Sequence, residues 1–184
     1  TLSAIPLFII LGKIMLRSGI SDKIYIALSP VFERVPGGLL HTNITVCTLF
    51  GAVSGSSLST AAAVGSVAYP EMTRRGYDSK MVVGSLAGGG TLGLLIPPSL
   101  SLLIYGALTE TSIGRLFLAG LLPGLLFAIM FMGYIFFRCR SNTAFVPKVV
   151  TSTNVTIVVL KLLSLWPFFT LIFAIMGSIV FGIA

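Results

Sequence analysis

Gly37–Pro70 reads GGLLHTNITVCTLFGAVSGSSLSTAAAVGSVAYP, thirty-four residues without a formal charge. As one straight helix this stretch would be ~51 Å long, against a hydrocarbon core of ~30 Å. Its midpoint falls at Ser54, inside Ser54-Gly55-Ser56-Ser57. Two arms of ~17 residues, each ~25 Å long, would take the chain into a bilayer and back out on the same side. The fold therefore turns on whether residues 37–70 cross once or form a re-entrant hairpin.

Basic residues arbitrate, because short cytoplasmic loops collect Lys and Arg. Lys13, Arg17, Lys23 and Arg34 precede the stretch, and Arg74, Arg75 and Lys80 follow it. Arg115 stands alone between two later apolar stretches, and Arg138, Arg140, Lys148 and Lys161 come after the second of these. A single crossing would divide the twelve basic residues five to seven, whereas a hairpin divides them eleven to one. The hairpin is the expectation, with the turn at residues 109–114 on the outer face.

The other stretches agree with a membrane chain. Residues 2–16 read as the remainder of a span. Residues 24–35, with Ser29, Pro30, Glu33 and Arg34 among apolar neighbours, are too short to cross and are expected along the interface. Residues 81–108 carry Pro97-Pro98, residues 116–137 form an ordinary span, and residues 162–184 follow a Ser/Thr/Asn-rich linker. Only 9% of the 184 residues are charged and 55% are hydrophobic, where a soluble domain carries about a quarter charged. The expected class is an all-α integral membrane protein, polytopic, with a re-entrant hairpin at 37–70 and a discontinuous helix at 81–108 in one transmembrane domain over 1–184. A chain that opens at Thr1 and stops inside GSIVFGIA is expected to be a piece of a longer one.

Several function classes fall away. The net charge of +7 comes from scattered residues with no basic cluster, so nucleic acid is not an expected partner. His41, the single histidine, precedes Ser54 by thirteen residues. That is ~20 Å of rise and ~220° of rotation on one helix, too far for a nucleophile and its base. His41 is expected at the interface, at the start of the hairpin. Cys47 reads as a small buried hydrophobe, and Cys139 as a free thiol in a cytoplasmic loop. A channel would need a continuous polar lining, which the sequence does not offer.

Two breaks carry the functional expectation. Ser54, Gly55, Ser56, Ser57, Ser59 and Thr60 concentrate hydroxyls and a flexible glycine at bilayer depth. Small residues there can serve helix packing alone. A break at the midpoint of a hairpin also frees carbonyls, and with hydroxyls these can hold a hard cation. The expected Na⁺ site is Ser54, Gly55, Ser56 and Ser57. In Ala87–Ser99, AGGGTLGLLIPPS, tandem prolines remove two amide donors and disfavour helix beyond Ile96. The half-helix after Ser99 would aim its amides at an anion, while carbonyls before the break suit a cation. Asp22, Glu33, Glu71, Asp78 and Glu110 all border loops, so an intramembrane proton relay has no carboxylate to run through. Na⁺ is the expected coupling ion, and no other cofactor or metal is expected.

Phe50–Leu126, with its SGSS, PEMTRRGYD and GGTLGLLIPPS runs, resembles the large membrane subunit of tripartite ATP-independent periplasmic (TRAP) transporters. IPLFIILGKIMLRSGIS from Ile5 resembles it too, and GSIVFGIA does so more weakly. The resemblance implies a permease of the bacterial or archaeal cytoplasmic membrane that moves organic acids such as C4-dicarboxylates or sialic acid on a Na⁺ gradient by an elevator-like motion. It implies a small membrane subunit and a periplasmic substrate-binding protein as partners. It also implies two inverted hairpin repeats, of which this chain matches the first. Ser54–Ser57 match the motif near the family's Na⁺ site, and Thr91, Gly93, Pro97, Pro98 and Ser99 match its broken helix, which implies that these five face the substrate and ion. The alternative is a truncated fragment kept for membrane packing, which a stop codon after Ala184 would favour over an in-frame second repeat.

Overall fold

The computed structural model describes residues 4–142, 145–147, 163 and 165–180. Among them are eight α-helices and no strand: α1 (Ala4–Arg17), α2 (Ile20–Phe32), α3 (Leu39–Ser54), α4 (Ser57–Arg74), α5 (Ser79–Leu95), α6 (Leu100–Leu108), α7 (Ile113–Ser141) and α8 (Trp166–Val180). Most of the linker at 141–156, and the ends of the stretch at 162–184, lie outside the described residues.

Small residues set the packing of α3, α4 and α5. The Asn43 amide donates to Ser85 Oγ at 2.8 Å. One turn on, a Cβ at Gly89 would stand 2.9 Å from Cys47 Cβ, and one more turn brings Gly51 against Gly93. Steps of four residues in the same direction on both helices mean that α3 and α5 run parallel. On the other flank of α5, Gly90 abuts Ser57 and Ala61, and Leu86 abuts Gly65. Those pairs run in opposite directions, so α4 is antiparallel to α5 and hence to α3. A hydrogen bond between transmembrane helices, such as Asn43 to Ser85, adds only about 0.6–1.7 kcal/mol. Close backbone approach through glycine therefore carries most of this contact.

The open end of the α3/α4 pair is tied down by polar groups. Leu39 N–H donates to Tyr77 Oη at 3.2 Å. Arg75 reaches Glu71 at 2.7 Å on its own helix and Glu33 at 3.4 Å beyond the end of α2, and Arg74 also pairs with Glu71. Partly exposed pairs of this kind contribute little singly, but the Glu33 contact joins α2 to α4.

α7 runs antiparallel to α5 and α6 together. Gly106 meets Leu116 and Ile113, Gly120 meets Leu102, Gly124 meets Ile96, and Gly88 meets Phe131. Its 29 residues span ~44 Å, enough to cross a ~30 Å core, and α5 with α6 matches that line. Both stretches are long and apolar enough to cross a membrane. Leu118, Leu122, Ile129, Met130, Tyr134 and Phe137 of α7 are all more than half exposed, as lipid-facing side chains are and side chains meeting water are not.

One sequence expectation meets a different arrangement, and two others gain detail. Cys139 is not in a loop. α7 continues beyond Phe137 to Ser141, with Arg138 and Arg140 in its last turn, where cations suit the helix C-terminus, and Cys139 is buried. His41 is buried as well. It donates Nε2–H to the Pro36 carbonyl at 2.8 Å and stacks on Phe32 at 6.0 Å, both made possible by the turn at Gly37 and Gly38, where φ is positive. The segment expected along the interface begins earlier, at Ile20, and buries Ser21, Ile24, Tyr25, Ala27 and Leu28 against the core.

Candidate functional site

The chain between α3 and α4 reverses through two residues. Gly55 adopts φ 60°, ψ 14° and its N–H caps α3 on the Gly51 carbonyl at 2.8 Å. Ser56 is extended, and its side chain accepts from Ser59 N–H to open α4. Glycine suits the left-handed cap, and serine suits the N-cap. The tip follows from local chemistry.

Around it a set of oxygens converges. Ser54 Oγ and Thr60 Oγ1 are 2.7 Å apart, and Thr60 Oγ1 donates to the Ser56 carbonyl at 2.8 Å. Since Thr60 has one hydroxyl proton, Ser54 donates to Thr60; Ser54 Oγ accepts only a long contact from Ser56 N–H at 3.5 Å, which leaves a lone pair open to a further positive partner. The Gly51 carbonyl lies 3.5 Å from Ser54 Oγ. Thr60 and Gly51 are fully buried, and Ser54, Ser56 and Ser57 are half-buried. Gly93 forms the wall: a Cβ there would stand 3.1 Å from Thr60 Oγ1 and 3.4 Å from the Ser56 carbonyl. Gly12 of α1 closes in on the Ser54 carbonyl, 3.3 Å from its Cβ position.

The second break lies at the same level. α5 ends at Leu95 and α6 begins at Leu100, with Ile96, Pro97, Pro98 and Ser99 buried between them. The Pro97-Pro98 peptide bond is cis. Ser99 Oγ donates to the Leu94 carbonyl at 2.7 Å, so this side chain bridges the break. The tip touches the break directly, because a Cβ at Gly55 would stand 2.7 Å from Leu100 N. Two helix C-termini, of α3 and α5, and two N-termini, of α4 and α6, thus approach one another. C-terminal carbonyls favour a cation and N-terminal amides favour an anion.

Of the sequence-derived residues, the structure gathers Ser54, Gly55, Ser56, Ser57 and Gly93 at the tip, with Ser99 and the two prolines beside it. Thr91 lies apart. It is exposed and donates to the Gly88 carbonyl at 2.6 Å, about 200° around α5 from Gly93. Thr60 and Gly51 belong with the tip but stood outside the expected set. Thr60 lies six residues beyond Ser54, and only the reversal at Gly55 brings the two hydroxyls together.

Residues 1–184 match the family described as "Tripartite ATP-independent periplasmic transporter, DctM component". The chain belongs to this family. The C4-dicarboxylate TRAP transporter large permease of Pseudomonas aeruginosa is 42% identical over 140 residues, 76% of this chain and 33% of the relative. The ectoine TRAP transporter large permease of Halomonas elongata is 39% identical over 134 residues, 73% of this chain and 31% of the relative. The sialic acid TRAP transporter large permease of Vibrio cholerae is 38% identical over 142 residues, 77% of this chain and 33% of the relative. The chain thus spans about a third of the length of the curated relatives it matches. A TRAP large permease is an integral membrane transport protein and not an enzyme, which agrees with the lipid-suited surface of α7.

Proposed function

We propose that the protein containing this chain is the large permease subunit of a Na⁺-coupled, binding-protein-dependent importer of small organic acids in the cytoplasmic membrane. Its partners in this reading are a small membrane subunit and a periplasmic substrate-binding protein. The α3/α4 pair is a re-entrant hairpin entering from the cytoplasmic side, as the eleven-to-one division of basic residues supports. Its tip holds Na⁺ on Ser54, Ser56 and Thr60 oxygens, and the amides at the start of α6 receive the substrate carboxylate. One observation carries the reading: hydroxyl and carbonyl oxygens converge at a reversal that meets the break in a second helix. Broken helices of this kind form substrate and ion sites in transporters. The elevator-like motion and the second half of the site belong to the remainder of the protein.

Proteoliposome uptake by the full-length protein tests the ion. With Ser54→Ala and Thr60→Val together, stimulation of uptake by Na⁺ is expected to disappear. Undiminished stimulation would count against an ion held at the tip.

A further inference from the structure

A cavity of about 490 Å³ lies between α5 and α7, away from the tip. Gly84 and Gly88 line one side of it, Phe127, Phe131 and Tyr134 the other, and Lys80 stands at one end. No atom lies within 4 Å of where a Gly84 side chain would begin, so the trough is open to the lipid side. Tyr134 is 62% exposed.

The charge at the Lys80 end is lopsided. Lys80 is exposed, and the ion pairs of Arg74 and Arg75 with Glu71 and Glu33 do not involve it. The nearest acid in sequence, Asp78, is engaged as the N-cap of α5, accepting from Met81 N–H at 3.0 Å. Because α7 is antiparallel to α5, its last turn brings Arg138 and Arg140 to this same end, Arg138 resting over the Phe145 ring at 5.2 Å. An apolar trough with cations at its cytoplasmic mouth has the chemistry of a lipid with a negative headgroup, and basic pockets between transmembrane helices bind such lipids. A partner helix could also use two glycines four residues apart, but it would leave the excess of cations unmatched.

We propose that this trough binds an anionic glycerophospholipid of the inner leaflet, one acyl chain lying along Gly84 and Gly88 and the phosphate on Lys80. The leaflet rests on the orientation proposed above; the binding itself does not.

Native mass spectrometry of the full-length subunit in detergent, titrated with dioleoyl phosphatidylglycerol or dioleoyl phosphatidylcholine, provides the test. The wild type is expected to prefer phosphatidylglycerol. Lys80→Gln should weaken that lipid about fivefold, the weight of one cation near an anionic lipid surface, and leave phosphatidylcholine unchanged. Gly84→Leu fills the trough and should weaken both lipids, with Gly84→Ala as a milder version. Equal binding of both lipids by the wild type, or an intact preference in Lys80→Gln, would overturn the proposal. So would displacement of phosphatidylglycerol by inorganic phosphate, which would mark a headgroup site without a chain. Loss of the small membrane subunit from Gly84→Leu with lipid binding unaltered would assign the trough to a helix instead. Orientation is read separately, by labelling cysteines at positions 18 and 73, which flank residues 37–70, from each side of the membrane. Opposite-side labelling would overturn the hairpin while leaving the detergent result standing.

Discussion

Gly51→Val is expected to leave little folded subunit. The new Cβ would stand 2.6 Å from Gly93 Cα and 3.0 Å from Gly93 N. Both are backbone atoms, so no rotamer change makes room and α3 must separate from α5. Overpacking a core costs about 1–3 kcal/mol and occasionally more. A collision with backbone belongs at the upper end, against a total stability of only about 5–15 kcal/mol. In size-exclusion chromatography and thermal unfolding of the full-length subunit, Gly51→Val should lose the monodisperse peak. Gly51→Ala, which carries the same Cβ, should lower the unfolding midpoint. Gly84→Ala, with open space around it, should not lower the midpoint. An unchanged midpoint for Gly51→Val would contradict the parallel contact of α3 and α5.

Gly55→Val is expected to remove transport while sparing the bulk of the fold. The residue sits at φ 60°, where a residue with a Cβ is strained by about 1–2 kcal/mol. Its Cβ would also stand 2.7 Å from Leu100 N. Relief requires the tip to withdraw from the start of α6, which separates the two breaks. Misplacing reacting groups by about 1 Å can cost about a hundredfold in rate. A loss of that order is expected in initial Na⁺-driven uptake by the full-length protein, with extraction and chromatographic behaviour retained. Uptake within twofold of wild type would show that tip and break need not touch.

What could be read in the sequence followed physical length and local chemistry. Too few charges for a water-facing surface identified a helical membrane protein, and the SGSS, PEMTRRGYD and GGTLGLLIPPS runs identified the family. The missing amides of Pro97 and Pro98 account for the gap between α5 and α6. Contacts between distant segments were not legible, because no local signal encodes them. That Gly51 faces Gly93, or that Thr60 returns to Ser54, depends on the relative register of three helices. The direction of Thr91 was partly legible. Two residues along a helix turn the side chain by about 200°, so Thr91 and Gly93 could not share a face. Cys139 was misread because the arginines on either side of it resemble a loop, whereas they occupy the last turn of α7.

Direct binding tests whether the oxygens at the α3/α4 tip hold Na⁺, without dependence on substrate, partner or orientation. Equilibrium binding of ²²Na⁺ to the purified full-length subunit should be saturable. Thr60→Val, which keeps the shape of the side chain but removes the hydroxyl linking Ser54 to the Ser56 carbonyl, should weaken it by more than about tenfold, the range for a lost hydrogen bond to a charged group. Thr60→Ser, which keeps the hydroxyl, should restore it. Saturable binding that is the same in wild type and Thr60→Val would place the ion elsewhere and contradict a site at the tip.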